Sequence, residues 1–171
     1  MMRCLADVRL RAMELEDLDF LYEIENDEDV WNVGVTNVPY SKRILFDYIT
    51  SASGDIYVDK QVRLIIENEE NMAVGIVDLV DFSPSHGRAE LGIVVKKDFR
   101  GRGYGSAVID KILDYSKNIL HLHQIYAYVA EGNKTCVNLL KNADFQSDMV
   151  LKDWLNNGKE YLDVLFFQRF L

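Results

Sequence analysis

The chain has 171 residues, 49% of them apolar and 27% charged, which fits one globular domain over residues 1–171. With 19 Lys and Arg against 28 Asp and Glu the net charge is −9, which weighs against a general nucleic-acid binder. No apolar run approaches the roughly 20 residues of a membrane helix, the start Met1-Met2-Arg3-Cys4-Leu5 has no signal-peptide core, and Cys4 and Cys136 cannot form a disulfide framework, so a cytoplasmic protein with reduced thiols is expected.

A short strand over 7–12 comes first in the chain. An amphipathic helix follows, with Leu15, Leu18, Leu21, Tyr22 and Ile24 at near-helical spacing up to about Asn26. From Glu14 to Asp29 the segment carries nine carboxylates and no Lys or Arg, as much negative charge as the net value of the whole chain. It reads either as a solvated helix face or as a docking surface for a polyamine or other polycation. Pro39 breaks the chain, and Ser41 is placed to N-cap a helix using Ile44, Leu45, Tyr48 and Ile49. A strand over 61–67 turns Val62, Leu64 and Ile66 inward, and a polar loop at 68–71 leads into a longer strand over 74–82.

After a turn at 83–87, the strand 88–95 places Ala89, Leu91, Ile93 and Val95 on one face and Glu90, Gly92 and Val94 on the other. A glycine-rich turn occupies 100–105, and Val108, Ile112, Tyr115 and Ile119 then mark a helix. A strand over 124–129 and a short helix over 133–142 follow. The chain closes as a hairpin of 145–155 and 160–170 about Asn156-Asn157-Gly158. Hairpins in the middle and helical crossovers later predict a mixed α/β fold. Its central sheet is mostly antiparallel and flanked by helices, not doubly wound and parallel.

The glycine turn is the most informative segment. Gly101, Gly103 and Gly105 lie between a strand and a helix start, where glycine lets backbone amides approach an anion such as pyrophosphate. Lys96, Lys97, Arg100 and Arg102 make a basic loop around them, interrupted by Asp98, which suits an anionic ligand. A P-loop needs Gly-Lys-Ser/Thr, which is missing, and a dinucleotide fingerprint starting at Gly101 would need Gly or Ala where Ser106 stands. A third pattern fits: the acyl-coenzyme A loop Gln/Arg-x-x-Gly-x-Gly/Ala is matched by Arg100-Gly101-Arg102-Gly103-Tyr104-Gly105.

With that loop, the stretches Val8–Arg11, Val74–Val80, Arg88–Gly92 and Trp154–Tyr161 make the chain resemble the GNAT superfamily of N-acetyltransferases over nearly its whole length. Within it the likeness is to spermidine N-acetyltransferases and ribosomal-protein Nα-acetyltransferases. The resemblance implies the GNAT acyl-CoA N-acyltransferase fold and acetyl-CoA as co-substrate. It further implies that backbone groups of Ile93, Val94 and Val95 pair with pantetheine as an added strand would. Arg100 and the amides of Gly101, Arg102, Gly103, Tyr104, Gly105 and Ser106 would hold the pyrophosphate, and Asn133 would hydrogen-bond the cofactor arm.

Transfer of an acetyl group to an amine needs the neutral amine, only about one part in 10³ of a lysine-like group at pH 7. Glu90 is the candidate base, provided burial or a relaying water raises its basicity; an ordinary sheet-surface Glu is the alternative. Polyamine acetyltransferases usually carry a tyrosine acid seven residues after the cofactor asparagine. Here that position is Leu140, and Asp144 stands where a glycine is usual. Tyr126, Tyr128 or solvent would have to substitute. His121 and His123 have no thiolate or carboxylate cluster beside them, so no metal is expected. Cys136 lacks a neighbouring base and reads as a packed helix residue. The function expected is acetyl-CoA-dependent N-acetylation of a primary amine, on a small molecule such as spermidine or on a peptide. Nα-acetylation of a protein N-terminus and a non-catalytic acyl-CoA-binding regulatory module stay open, as does a homo-oligomer. No nucleic-acid or membrane partner is expected.

Overall fold

The computed structural model describes residues 6–31 and 38–171, so Cys4 lies outside it. One seven-stranded sheet runs in the order β1 (Val8–Ala12), β2 (Val62–Asn68), β3 (Ala73–Ser83), β4 (Arg88–Val95), β5 (Gln124–Ala130), β7 (Tyr161–Phe170) and β6 (Gln146–Asn156). All neighbours are antiparallel except β4 and β5, which run parallel. Their shared register covers only Arg88–Glu90 against Gln124–Tyr126. This is the mixed, mostly antiparallel arrangement that the hairpin spacing predicts.

Helices cover both faces. The acidic segment forms a 3-10 turn, Leu15–Asp17, then α1 (Leu18–Glu25) and the short α2 (Glu28–Trp31). After α3 (Lys42–Ser51) and α4 (Ile56–Asp59), the later crossovers are α5 (Tyr104–Asn118) and α6 (Lys134–Asn142). Ser41 caps α3 as expected, its Oγ accepting from the Ile44 N–H at 3.3 Å. On one face α5 and α6 bury Val108, Ile109, Ile112, Val137 and Leu140 with Ile66 and Phe167 of the sheet. On the other, α1 and α3 bury Leu21, Ile24 and Leu45 against Ile65 and Ile76.

Three details depart from the sequence reading. Because both faces of β2 are covered, Ile65 is as fully buried as Ile66, and a simple inward set of Val62, Leu64 and Ile66 is too narrow. Ile44 and Ile119 face outward, since each helix presents only one stripe to its core. The four-residue helices α2 and α4 are too short for a periodic signal; only the Asp55 cap on the Tyr57 N–H, at 2.8 Å, announces α4.

Two buried carboxylates bind the first strand to the fold. Glu67 accepts from both Arg9 and Arg11 at 2.7 Å, and Arg11 also forks onto both oxygens of Asp17 at 2.7 Å. The bonds from Arg9 and Arg11 hold the Glu67 carboxyl below the usual range. Burial alone would raise Asp17, but the Arg11 fork and the Glu14 N–H outweigh it and the net shift is downward.

Asp144 follows α6 with φ of 58°, a left-handed backbone at the position where glycine normally ends a helix. Among the described residues its carboxylate makes only a long 3.3 Å contact, with Arg169. Asp144→Gly removes the side-chain clash of this conformation, so stability is expected to rise by about 0.5 kcal/mol. Urea unfolding checks this, with a higher midpoint and an unchanged slope.

Candidate active site

The glycine turn has the geometry its spacing suggests. Gly101 and Gly103 have φ of 76° and 88°, and a side chain at Gly101 would meet nothing within 4 Å, so the turn presents open backbone. Gly103 is the N-cap of α5, and among the described residues no side chain bonds the first-turn amides of Tyr104, Gly105 and Ser106 at the positive end of the helix dipole. Gly105 serves packing: a Cβ there would stand 3.0 Å from Leu139 of α6. The Tyr104 ring is buried edge-on to Phe99, and Arg102 lies over the same Phe99 ring at 5.4 Å.

Beside the turn, β4 loses its partner on one side. Lys96 N–H bonds the Val74 carbonyl at 2.8 Å, and Gly75 stands opposite Val95. By antiparallel alternation, Val94 exchanges its backbone bonds with β3, while Ile93 and Val95 direct theirs into the gap that β5 has left. This corrects the expectation for Val94, whose N–H and C=O are committed within the sheet. Arg100 Nε caps the Val95 carbonyl at 2.9 Å. Asn133 is the N-cap of α6, its Oδ1 accepting from the Cys136 N–H at 3.1 Å.

Glu90 sits where the gap opens, half-buried, level with Val80 on β3 and Tyr126 on β5. Burial, and then the Asp81 carboxylate, push its carboxyl above the usual range. Tyr126 O–H donates to Asp81 Oδ2 at 2.5 Å; burial and this bond push the phenol well above its ordinary value. Tyr126 is therefore a poor substitute for the missing acid, because its proton is already committed. Tyr128, 42% exposed, lies edge-on to Tyr126 and stacks with Trp154 at 6.4 Å, and Phe166 completes an aromatic wall. Leu140 is 2% exposed and part of the α5–α6 core, so α6 offers no hydroxyl at that position. Burial raises the Cys136 thiol, which fits a packing residue. His121 and His123 are exposed, and His123 packs on Phe170. Among the described residues no three His, Cys, Asp or Glu side chains converge.

The charge pattern needs a larger correction. Six carboxylates of the acidic segment are paired among the described residues, three of them with the basic loop, which lies beside it. Asp17 pairs with Arg11, Asp19 with Lys42 at 2.6 Å, and Glu25 with Arg63. Glu23 reaches Lys96 at 2.7 Å, Asp29 reaches Lys97 at 3.0 Å, and Asp27 lies 3.8 Å from Arg100. Opposite charges attract locally, which sequence separation hides: the chain brings α1 and α2 beside the turn after β4.

The family model described as an acetyltransferase (GNAT) domain matches residues 7–146. The chain belongs to the GNAT acetyltransferase family. A spermidine N(1)-acetyltransferase from Vibrio cholerae is 29% identical over 161 residues, 93% of this chain and 90% of that protein. The crystal structure of the Vibrio cholerae spermidine N-acetyltransferase with CoA and spermine superposes with a TM-score of 0.86, at 27% identity over 95% of each chain. A dodecameric structure of the same enzyme gives a TM-score of 0.81, covering 95% of this chain and 93% of that one. The fold and the N-acetyltransferase activity of this chain follow from its family.

Asp27 and Asp29 compete with any anion at the turn for Arg100 and Lys97. The double variant Asp27→Asn, Asp29→Asn is therefore expected to bind coenzyme A about threefold more tightly at low salt, in line with exposed ion pairs. Titration calorimetry checks it, and the gain should vanish near 1 M salt, where the Debye length is about 3 Å.

Proposed function

We propose that this acetyltransferase moves the acetyl group of acetyl-CoA to a primary amine of a polyamine of the spermidine class. The observation that carries the reading is the divergence of β4 and β5 directly after Glu90 and Tyr126. It places an unpaired strand edge, a glycine turn and a half-buried carboxylate along one line. The likeness to spermidine acetyltransferases along nearly the whole chain supports the choice of acceptor.

In this reading Ile93 and Val95 offer their backbone groups to the pantetheine arm, with Arg100 releasing the Val95 carbonyl. The amides from Gly101 to Ser106 and the side chains of Arg100 and Arg102 meet the pyrophosphate, and the Asn133 amide nitrogen donates to the arm. When bound, acetyl-CoA supplies an activated acetyl group as a thioester. Glu90 receives one proton from the acceptor's ammonium, leaving the electron pair on nitrogen for attack. The nitrogen sheds a second proton as the C–N bond forms and the C–S bond breaks. Solvent returns that proton to the thiolate, since Leu140 has none to give. The aromatic wall of Tyr126, Tyr128, Phe166 and Trp154 suits an alkylammonium chain through apolar and cation–π contact.

The absent acid at Leu140 favours a second reading, Nα-acetylation of a protein N-terminus. Following thiol release from acetyl-CoA with spermidine, spermine and N-terminal peptides separates the two. Turnover with the polyamines and none with peptides is expected; the reverse result moves the assignment, and no turnover with any amine leaves only cofactor binding. Gly103→Val puts a branched side chain on a left-handed backbone at the turn, and should weaken coenzyme A binding about tenfold or more in calorimetry. Glu90→Gln should lower kcat about 10²-fold with coenzyme A affinity unchanged.

A further inference from the structure

A regular alternation along β3 would aim Asp81 at the α5 face, with Val77 and Leu79. The register of β3 against β4 instead slips between Val80 and Ser83, and Asp81 takes a φ of 48°. Such a bulge re-aims one side chain, and left-handed backbone at a non-glycine residue is costly enough to need a reason. Here it turns the carboxylate back across the sheet, over the level of Glu90, to the hydroxyl of Tyr126 two strands away at 2.5 Å. Three adjacent strands thus contribute one polar residue each, at the point where β4 and β5 part.

We propose that Asp81 is a positioning residue for Glu90: Tyr126 clamps its carboxylate beside the base, and this fixed negative charge makes Glu90 the group that takes the acceptor's proton. The proposal rests on reading Glu90 as the base. Two neighbouring carboxylates do not share the task equally. Asp81 is exposed, and one of its oxygens already accepts the Tyr126 O–H. Glu90 is half-buried, and the Asp81 charge adds to its proton affinity. A carboxylate of raised affinity is a better base near neutral pH, and the proton passes from the ammonium nitrogen to a Glu90 oxygen while nitrogen keeps the electron pair. The other groups on this side of the sheet are Arg88 two residues back on β4, Tyr128 beyond Tyr126, and the Arg63 side chain, which is bonded to Asp78 at 2.7 Å and paired with Glu25 of α1. Tyr48 of α3 lies under the Arg63 guanidinium. Asp81 is the charge among them that acts on Glu90.

The test is the pH dependence of kcat/KM for the acceptor in wild type, Asp81→Asn, Asp81→Gly and Glu90→Gln. Asparagine keeps the shape, accepts the Tyr126 hydroxyl and tolerates positive φ; glycine removes the side chain and any backbone strain. Both Asp81 variants should move the acid limb to lower pH by about half a unit or more, because a like charge beside the base is gone. Thermal midpoints near wild type show that the fold is retained, and either variant alone suffices if the other does not fold. Glu90→Gln should abolish the limb. A limb that vanishes in Glu90→Gln but stays at the wild-type pH in the Asp81 variants overturns the proposal and leaves the base in place. A limb that persists in Glu90→Gln overturns the reading of Glu90 itself.

Discussion

The parallel pairing of β4 with β5 ends after three residues, and the rest of the site depends on that separation. A sheet of continuous partners would satisfy every backbone group and leave nothing for a ligand to bond. Here the register stops at Glu90 and Tyr126, so the backbone of Ile93 and Val95 opens onto a gap. At one end of the gap lie the first-turn amides of α5; at the other lie Glu90, Asp81 and Tyr126. The α5–α6 face must hold together the halves of a sheet that share little hydrogen bonding at their junction, and it does so with apolar residues drawn from both.

Electrostatics tie the other face to the site. The acidic segment is the counter-charge of the basic loop after β4 and of the first strands, through Lys96, Lys97, Arg100, Arg63 and Arg11. Exposed pairs of this kind add little stability singly and weaken with salt. Their importance is local: Lys96, Lys97 and Arg100 beside the glycine turn already have carboxylate partners, so an anion arriving there would exchange with those partners and not meet free cations. The net charge of −9 is therefore a poor guide to the field at any one place.

Much of the fold was legible because local signals agreed. Ser41 caps a helix, Asn156-Asn157-Gly158 closes a hairpin, and the glycine turn combines positive φ with a strand before it and a long helix after it. Glu90 was placed on the correct face by strand alternation alone. Asp81 was missed for the same reason that Glu90 was found. Alternation assigns it to the core side, and a bulge that reverses one residue leaves no pattern in the sequence. The pairing of α1 and α2 with the loop at Lys96–Arg100 was equally invisible, since it joins segments about seventy residues apart. The backbone commitment of Val94 depends on register, which side-chain alternation does not reveal.

Gly105 has a consequence for how damage to this enzyme would be read. It is the one glycine of the turn without a left-handed backbone, and its lack of a side chain admits Leu139 of α6 to within van der Waals range. The helix that begins at the glycine turn and the helix that begins at Asn133 are thereby set against each other, so a long, jointed ligand reaching both helix starts would be gauged by one contact that faces away from it. A methyl group at this position would alter that gauge. The lesion would look like a lost ligand contact, yet its origin would be a misplaced helix.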